Sequence, residues 1–216
     1  MIILNIHLAR SIWLFPINDL NPEGKSLYPV IPLLVDLYKF KDYPKEETIP
    51  DYTKGIKFMD GQFKNEAGHV TGINFEVYSD GVVAETRSST KDSEAFLIEV
   101  SRRLSSDFGL PPYEKFAGRR NYISQIYFTT EKSLETINPK LKEILQYLTD
   151  TFSESFRVGA LAFWPDQKLT RKPPPFLFER VIDVPFSEKR YFSSCGLQTD
   201  EHMALIEKIE DILSIS

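Results

Sequence analysis

INFEVYSDGVVAETR, residues 73–87, alternates apolar and polar positions on either side of an Asp-Gly pair. Ile73, Phe75 and Val77 alternate with Asn74, Glu76 and Tyr78, the period of a strand with one buried face, and Asp80-Gly81 is a strong hairpin signal. A second pair, Asp60-Gly61, lies upstream between similar runs, so residues 56–88 read as a β-meander of three or four strands. A two-residue turn at Asp80-Gly81 sets Glu76 opposite Glu85, and the matching turn at Asp60-Gly61 sets Lys57 opposite Lys64. Like charges directly opposite one another destabilise a sheet. The glutamates are therefore candidates for a divalent-metal or proton-sharing pair. The plainer alternative is that adjacent strands let the acidic and basic pairs neutralise each other.

Working outward, Ser88-Ser89-Thr90 with Asp92 and Glu94 opens a helix that Gly109, Pro111 and Pro112 close, with Phe96, Leu97, Val100 and Leu104 as its inner stripe. NYISQIYFTT (121–130) reads as a strand. Asn138-Pro139 starts a second helix, whose inner face is Leu141, Ile144, Leu145, Leu148 and Phe152. VGALAFW (158–164) has the composition of a fully buried strand, and prolines 173–175 separate it from a strand at FLFERVIDV (176–184). Thr199 caps a last helix with the stripe Leu205, Ile206, Ile209, Ile212 and Leu213. At the other end MIILNIHLARSIWLFP reads as a strand in which Leu4, Ile6 and Leu8 form one face. Residues 16–29 and 41–54 are loops, and residues 30–40 fit a helix or an edge strand, helix being favoured. No internal repeat or glycine-serine linker is visible. The expectation is a single α+β domain over 1–216: an antiparallel-rich meander sheet with about three amphipathic helices packed mainly on one face.

The 216 residues are 42% hydrophobic, 26% charged and 13% aromatic, enough to build a sizeable core, which excludes disordered, collagen and coiled-coil classes. A net charge of −5 argues against a protein built to wrap nucleic-acid phosphate. Cys195 is the single cysteine, so neither a disulfide within the chain nor a thiolate metal cluster is available, and a cytoplasmic location is expected. No segment reaches the roughly 18 uninterrupted apolar residues of a membrane-spanning helix.

Motifs that carry chemistry are sparse. His7, His69 and His202 stand in no metal-ligand spacing, so no metal and no cofactor is expected. Cys195 precedes His202 in YFSSCGLQTDEH, a spacing that allows a thiol–imidazole pair, although a lone cysteine is more often a small buried hydrophobe. Neither a GxSxG elbow nor a phosphate-binding glycine loop occurs. Candidate anion or nucleic-acid contacts are Arg87 at the start of the first long helix, Arg119 and Arg120, and Lys168, Arg171 and Lys172 ahead of the triple proline. Tyr191, Phe192 and Leu197 are candidate docking residues. The expected function is a non-enzymatic module that binds a protein partner or itself, as an accessory subunit or homo-oligomer. The alternative is a metal-assisted enzyme or binder acting on a phosphorylated or nucleic-acid substrate through Glu76 and Glu85.

Overall fold

Strand β1 takes in Ile2–Leu14, and its buried positions are Ala9, Ser11 and Trp13. The inner face is thus the odd one, not the Leu4, Ile6, Leu8 face. The polar Ser11 is tolerated inside because its hydroxyl reaches Thr90 O (3.2 Å) and Ser93 Oγ (2.8 Å). The computed structural model describes residues 1–24, 28–45, 54–112, 115, 118–138, 140–166 and 174–214. After β1 come α1 (Ile17–Leu20), α2 (Val30–Tyr38), β2 (Ile56–Lys64), β3 (Val70–Tyr78), β4 (Gly81–Thr86), α3 (Thr90–Phe108), β5 (Arg119–Thr129), α4 (Lys140–Phe152), β6 (Ala160–Phe163), β7 (Phe176–Arg180), β8 (Arg190–Cys195) and α5 (Thr199–Ile212). The fold is mixed α+β, with eight strands in the sheet order β2-β3-β4-β1-β5-β8-β7-β6. Five helices appear among the described residues where about three were expected: α2 occupies the 30–40 stretch where helix was favoured, and the single-turn α1 lies in residues 16–29, read as loop. No described helix is long and apolar enough to cross a membrane.

One element order is written twice. β1-α2-β2-β3-β4-α3 and β5-α4-β6-β7-β8-α5 each run strand, helix, three-stranded meander, helix, and in the sheet they read 2-3-4-1 and, from the other edge, 6-7-8-5. The repeat is one of topology, carried by different residues, so it escapes a reading of the sequence for self-similarity. The chain divides into two compact units: Leu8–Ser124 with Leu197–Thr199, and Met1–His7 with Gln125–Gly196 and Asp200–Ser216.

In the first unit, Ser89 starts α3 by accepting the Asp92 N–H (3.1 Å), and Gly109 ends it at a left-handed φ of 65°. The stripe read from the sequence is buried, and the Phe96 ring centroid lies 4.8, 6.4, 5.6 and 5.5 Å from those of Tyr38, Phe40, Phe63 and Phe75. Thr90 and Thr199, the first residues of α3 and α5, exchange hydrogen bonds: each hydroxyl oxygen accepts the other's backbone N–H, at 2.9 and 2.8 Å. Thr199 therefore caps α3 and not its own helix.

The Asp-Gly pairs are not the turns. Between β2 and β3 the chain reverses at residues 65–69, where Asn65 Oδ1 accepts the His69 N–H, while Asp60-Gly61 is a bulge inside β2 with Asp60 at φ 55°. Between β3 and β4 the turn residues are Ser79 and Asp80, and Gly81 already belongs to β4, paired with both Tyr78 and Leu14. A Cβ at Gly81 would overlap the Trp13 carbonyl oxygen, so this glycine serves close strand approach and not the turn. The register therefore places Glu76 opposite Val83 and Glu85 opposite Asn74, which corrects the facing glutamates. Lys57 faces Glu76, and Lys64 faces Val70.

In the second unit the core is Ile126, Phe128, Leu134, Phe178, Tyr191, Ile206 and Leu213. α5 buries His202 and Ile206 and exposes Ile212, with Leu213 buried just beyond its end, so its inner stripe is rotated from the expected one to admit the histidine. Asn138 Oδ1 accepts the Lys140 N–H (3.0 Å) at the start of α4. No residue of α4 is buried, although Leu141, Ile144, Leu145, Leu148 and Phe152 were its expected inner face. β6 is the last strand of the sheet and has a neighbour on one side only, which is why VGALAFW, read as fully buried, leaves Phe163 and Trp164 exposed.

Candidate functional site

The carboxylates singled out on the meander are each neutralised by a cation on the facing strand. Glu85 accepts from Arg10 Nη2 (2.5 Å) and Nε (3.2 Å), and Arg10 stands opposite it on β1. Glu76 lies 3.6 Å from Lys57 Nζ, opposite it on β2, and accepts a hydrogen bond from the Tyr78 hydroxyl. That bond, aided by burial, pushes the Tyr78 phenol up to about 12. The ladder is thus a set of structural ion pairs. Among the described residues no three or more His, Cys, Asp or Glu side chains converge on a point that would hold a metal ion.

At the start of α3 the place an external anion would take is filled by the helix's own Asp92. Its carboxylate accepts from Ser88 Oγ (2.6 Å) and Asn65 Nδ2 (2.9 Å), while Arg87 is exposed. Arg120 stacks 4.4 Å from the centroid of the buried Trp13 ring and pairs with Glu94 at 2.8 Å, and the Tyr122 hydroxyl donates to the same carboxylate. Arg120 is therefore a positioned structural cation, and its neighbour Arg119 is exposed. Lys168, Arg171 and Lys172 lie outside the described residues.

The proposed docking trio is split by strand alternation. Tyr191, Ser193 and Cys195 of β8 point inward, whereas Phe192 lies on the other side with its ring 5.2 Å from Tyr127 and 6.5 Å from His7. Tyr191 is corrected from docking residue to core residue: it stacks on Phe128 at 5.8 Å and meets Phe178 at 5.3 Å. Leu197 is exposed. His202 has Ser193 as its partner and not the thiol. The single Ser193 hydroxyl proton is directed at Leu177 O (2.7 Å), so Ser193 Oγ accepts from His202 Nε2 (2.8 Å), and Nδ1 is left buried without a partner among the described residues. Burial pushes the imidazole pKa down to about 4. Serine and histidine are both buried, which makes the pair a structural contact of the core.

No family model and no curated protein matches the chain.

What the sequence reading missed is apolar surface. On α4, Ile144 is 55%, Tyr147 71% and Phe152 61% exposed, and Trp164 after β6 is 69% exposed. The available signal was Tyr147, which lies three residues from Ile144 and falls outside the stripe assigned to the core. In the first unit a cleft of about 500 Å³ lies along α2, lined by Tyr28, Ile31, Val35 and Tyr43 with Asp36 and Lys45 as its charged groups.

Proposed function

We propose that the chain is a non-enzymatic protein-interaction module of the cytoplasm, self-associating or serving as an accessory subunit, and that it docks through α4 and the end of β6. The observation that supports this reading is α4: thirteen residues of which none is buried, with Ile144, Tyr147 and Phe152 open to solvent. Contiguous exposed apolar area on a water-borne protein marks a surface that a partner covers, because its burial is worth roughly 25 cal/mol per Å². The aromatic character of the exposed residues Tyr147, Phe152, Phe163 and Trp164 suits a protein interface.

The test is a tagged pull-down from the native host at low and high salt, with light scattering on the purified protein. A stoichiometric protein partner or an oligomer that survives high salt is expected, and Ile144→Lys with Tyr147→Lys should abolish it while leaving the unfolding free energy within ~0.5 kcal/mol of wild type. A monomer at micromolar concentration that retains no protein sinks the reading. Nucleic acid that is lost as salt rises would redirect attention to the basic residues.

A further inference from the structure

Strand alternation puts Arg180, the last residue of β7, on the inward face with Phe178, directly opposite the buried Tyr191. Its guanidinium lies 4.9 Å from the Tyr191 ring centroid and 5.2 Å from that of Phe186, in the short turn Phe186–Glu188. These cation–ring contacts spend none of the N–H donors on a hydrogen bond. Among the described residues Arg180 Nε, which is buried, has no hydrogen-bond partner, and no carboxylate pairs with this guanidinium. A guanidinium so placed normally spends its donors on an anion.

A second unspent cation is brought close by the strand pairing: the Arg180 N–H donates to the Gly159 carbonyl at 2.8 Å, and Arg157 stands two residues before Gly159. Arg157, in the stretch between α4 and β6, is exposed and makes no ion pair among the described residues. The next residue is pinned, since the Val158 N–H donates to Glu135 Oε1 at 3.2 Å. Burial raises the Tyr191 phenol pKa, and Arg180 and Arg157 both oppose that rise. Glu135 adds to the rise. We propose that Arg180 and Arg157 together form a binding site for a phosphate group. The two forks carry the charge that a phosphate dianion neutralises, one of them held rigid by stacking, and the partly exposed Phe186 ring beside them offers a surface for an organic group attached to the phosphate.

The test is calorimetric titration of the full chain with inorganic phosphate and, separately, with phenyl phosphate at fixed ionic strength. Saturable binding is expected, weakened at least about tenfold by Arg157→Gln and by Arg180→Gln. Tighter binding of phenyl phosphate identifies a phosphate carried on an organic molecule, and equal binding identifies the free anion. Arg157 is exposed and unpaired among the described residues, so its replacement leaves the fold intact and decides the matter even where Arg180→Gln unfolds. Absence of binding to wild type, or equal binding to wild type and Arg157→Gln, overturns the site.

Discussion

A methyl group added at position 81 would overlap the Trp13 carbonyl oxygen, and the local φ of 152° is one that L side chains rarely adopt. Gly81→Ala should therefore cost about 3 kcal/mol in urea unfolding, whereas Gly72→Ala, whose added methyl meets nothing within 4 Å, should stay within about 0.5 kcal/mol of wild type. His202 makes a prediction of a different kind. Its pKa is about 4 in the fold against an ordinary value of 6.5 when unfolded, so above 6.5 both states are neutral and the fold has its full stability. As pH falls from 6.5 towards 4, the unfolded chain takes up a proton that the native site refuses, and about 3 kcal/mol is lost in total. Unfolding measured across that interval checks this. His202→Gln, which takes up no proton, should flatten the profile, and an unchanged slope in that variant would show that the loss arises elsewhere.

At the scale of elements, α3 was legible because its ends and its stripe agree: Ser89, Gly109 and the Phe96, Leu97, Val100 spacing all call for the same helix. Ser89→Ala should lower stability by about 1 kcal/mol through the lost bond to the Asp92 N–H, read by thermal unfolding. The meander was legible as strands and misread in register, because an Asp-Gly pair marks either a turn or a bulge, and the choice rests on what approaches the glycine from outside the hairpin. That error moved every cross-strand pair and produced the facing glutamates. α4 shows a different blindness. Its apolar positions fit a buried stripe, but periodicity states which residues share a face and is silent on whether anything covers it. Of the basic residues singled out in sequence, Arg120 has a structural role and Arg87 and Arg119 are exposed, whereas Arg157 and Arg180 stand 23 positions apart in sequence and are brought near one another by the bond from the Arg180 N–H to the Gly159 carbonyl.

At the scale of the whole molecule, β1 and β5 each give residues to both compact units, so the core of either unit is anchored on strands that also serve the other. The expected outcome is one unfolding transition. Trp13, in the first unit, is buried and reports that transition by its fluorescence, while Trp164, in the second, is largely exposed and changes little. Phe96→Ala, in the first core, should cost about 3–5 kcal/mol by this signal. Phe128→Ala, in the second, should shift the same midpoint, and a Trp13 transition indifferent to it would mean that the units melt independently.

Cys195 closes β8 with its sulfur buried, and it is the only thiol in the chain. A bulky aromatic disulfide reagent has no access to it in the native state and reacts only during an opening of the surrounding structure. The yellow thiolate released by each reaction therefore counts openings one molecule at a time, and its rate, set against that of an unstructured peptide thiol, converts directly into the free energy of that excursion. The chain carries its own stopwatch for the core around β8, without a label or a mutation.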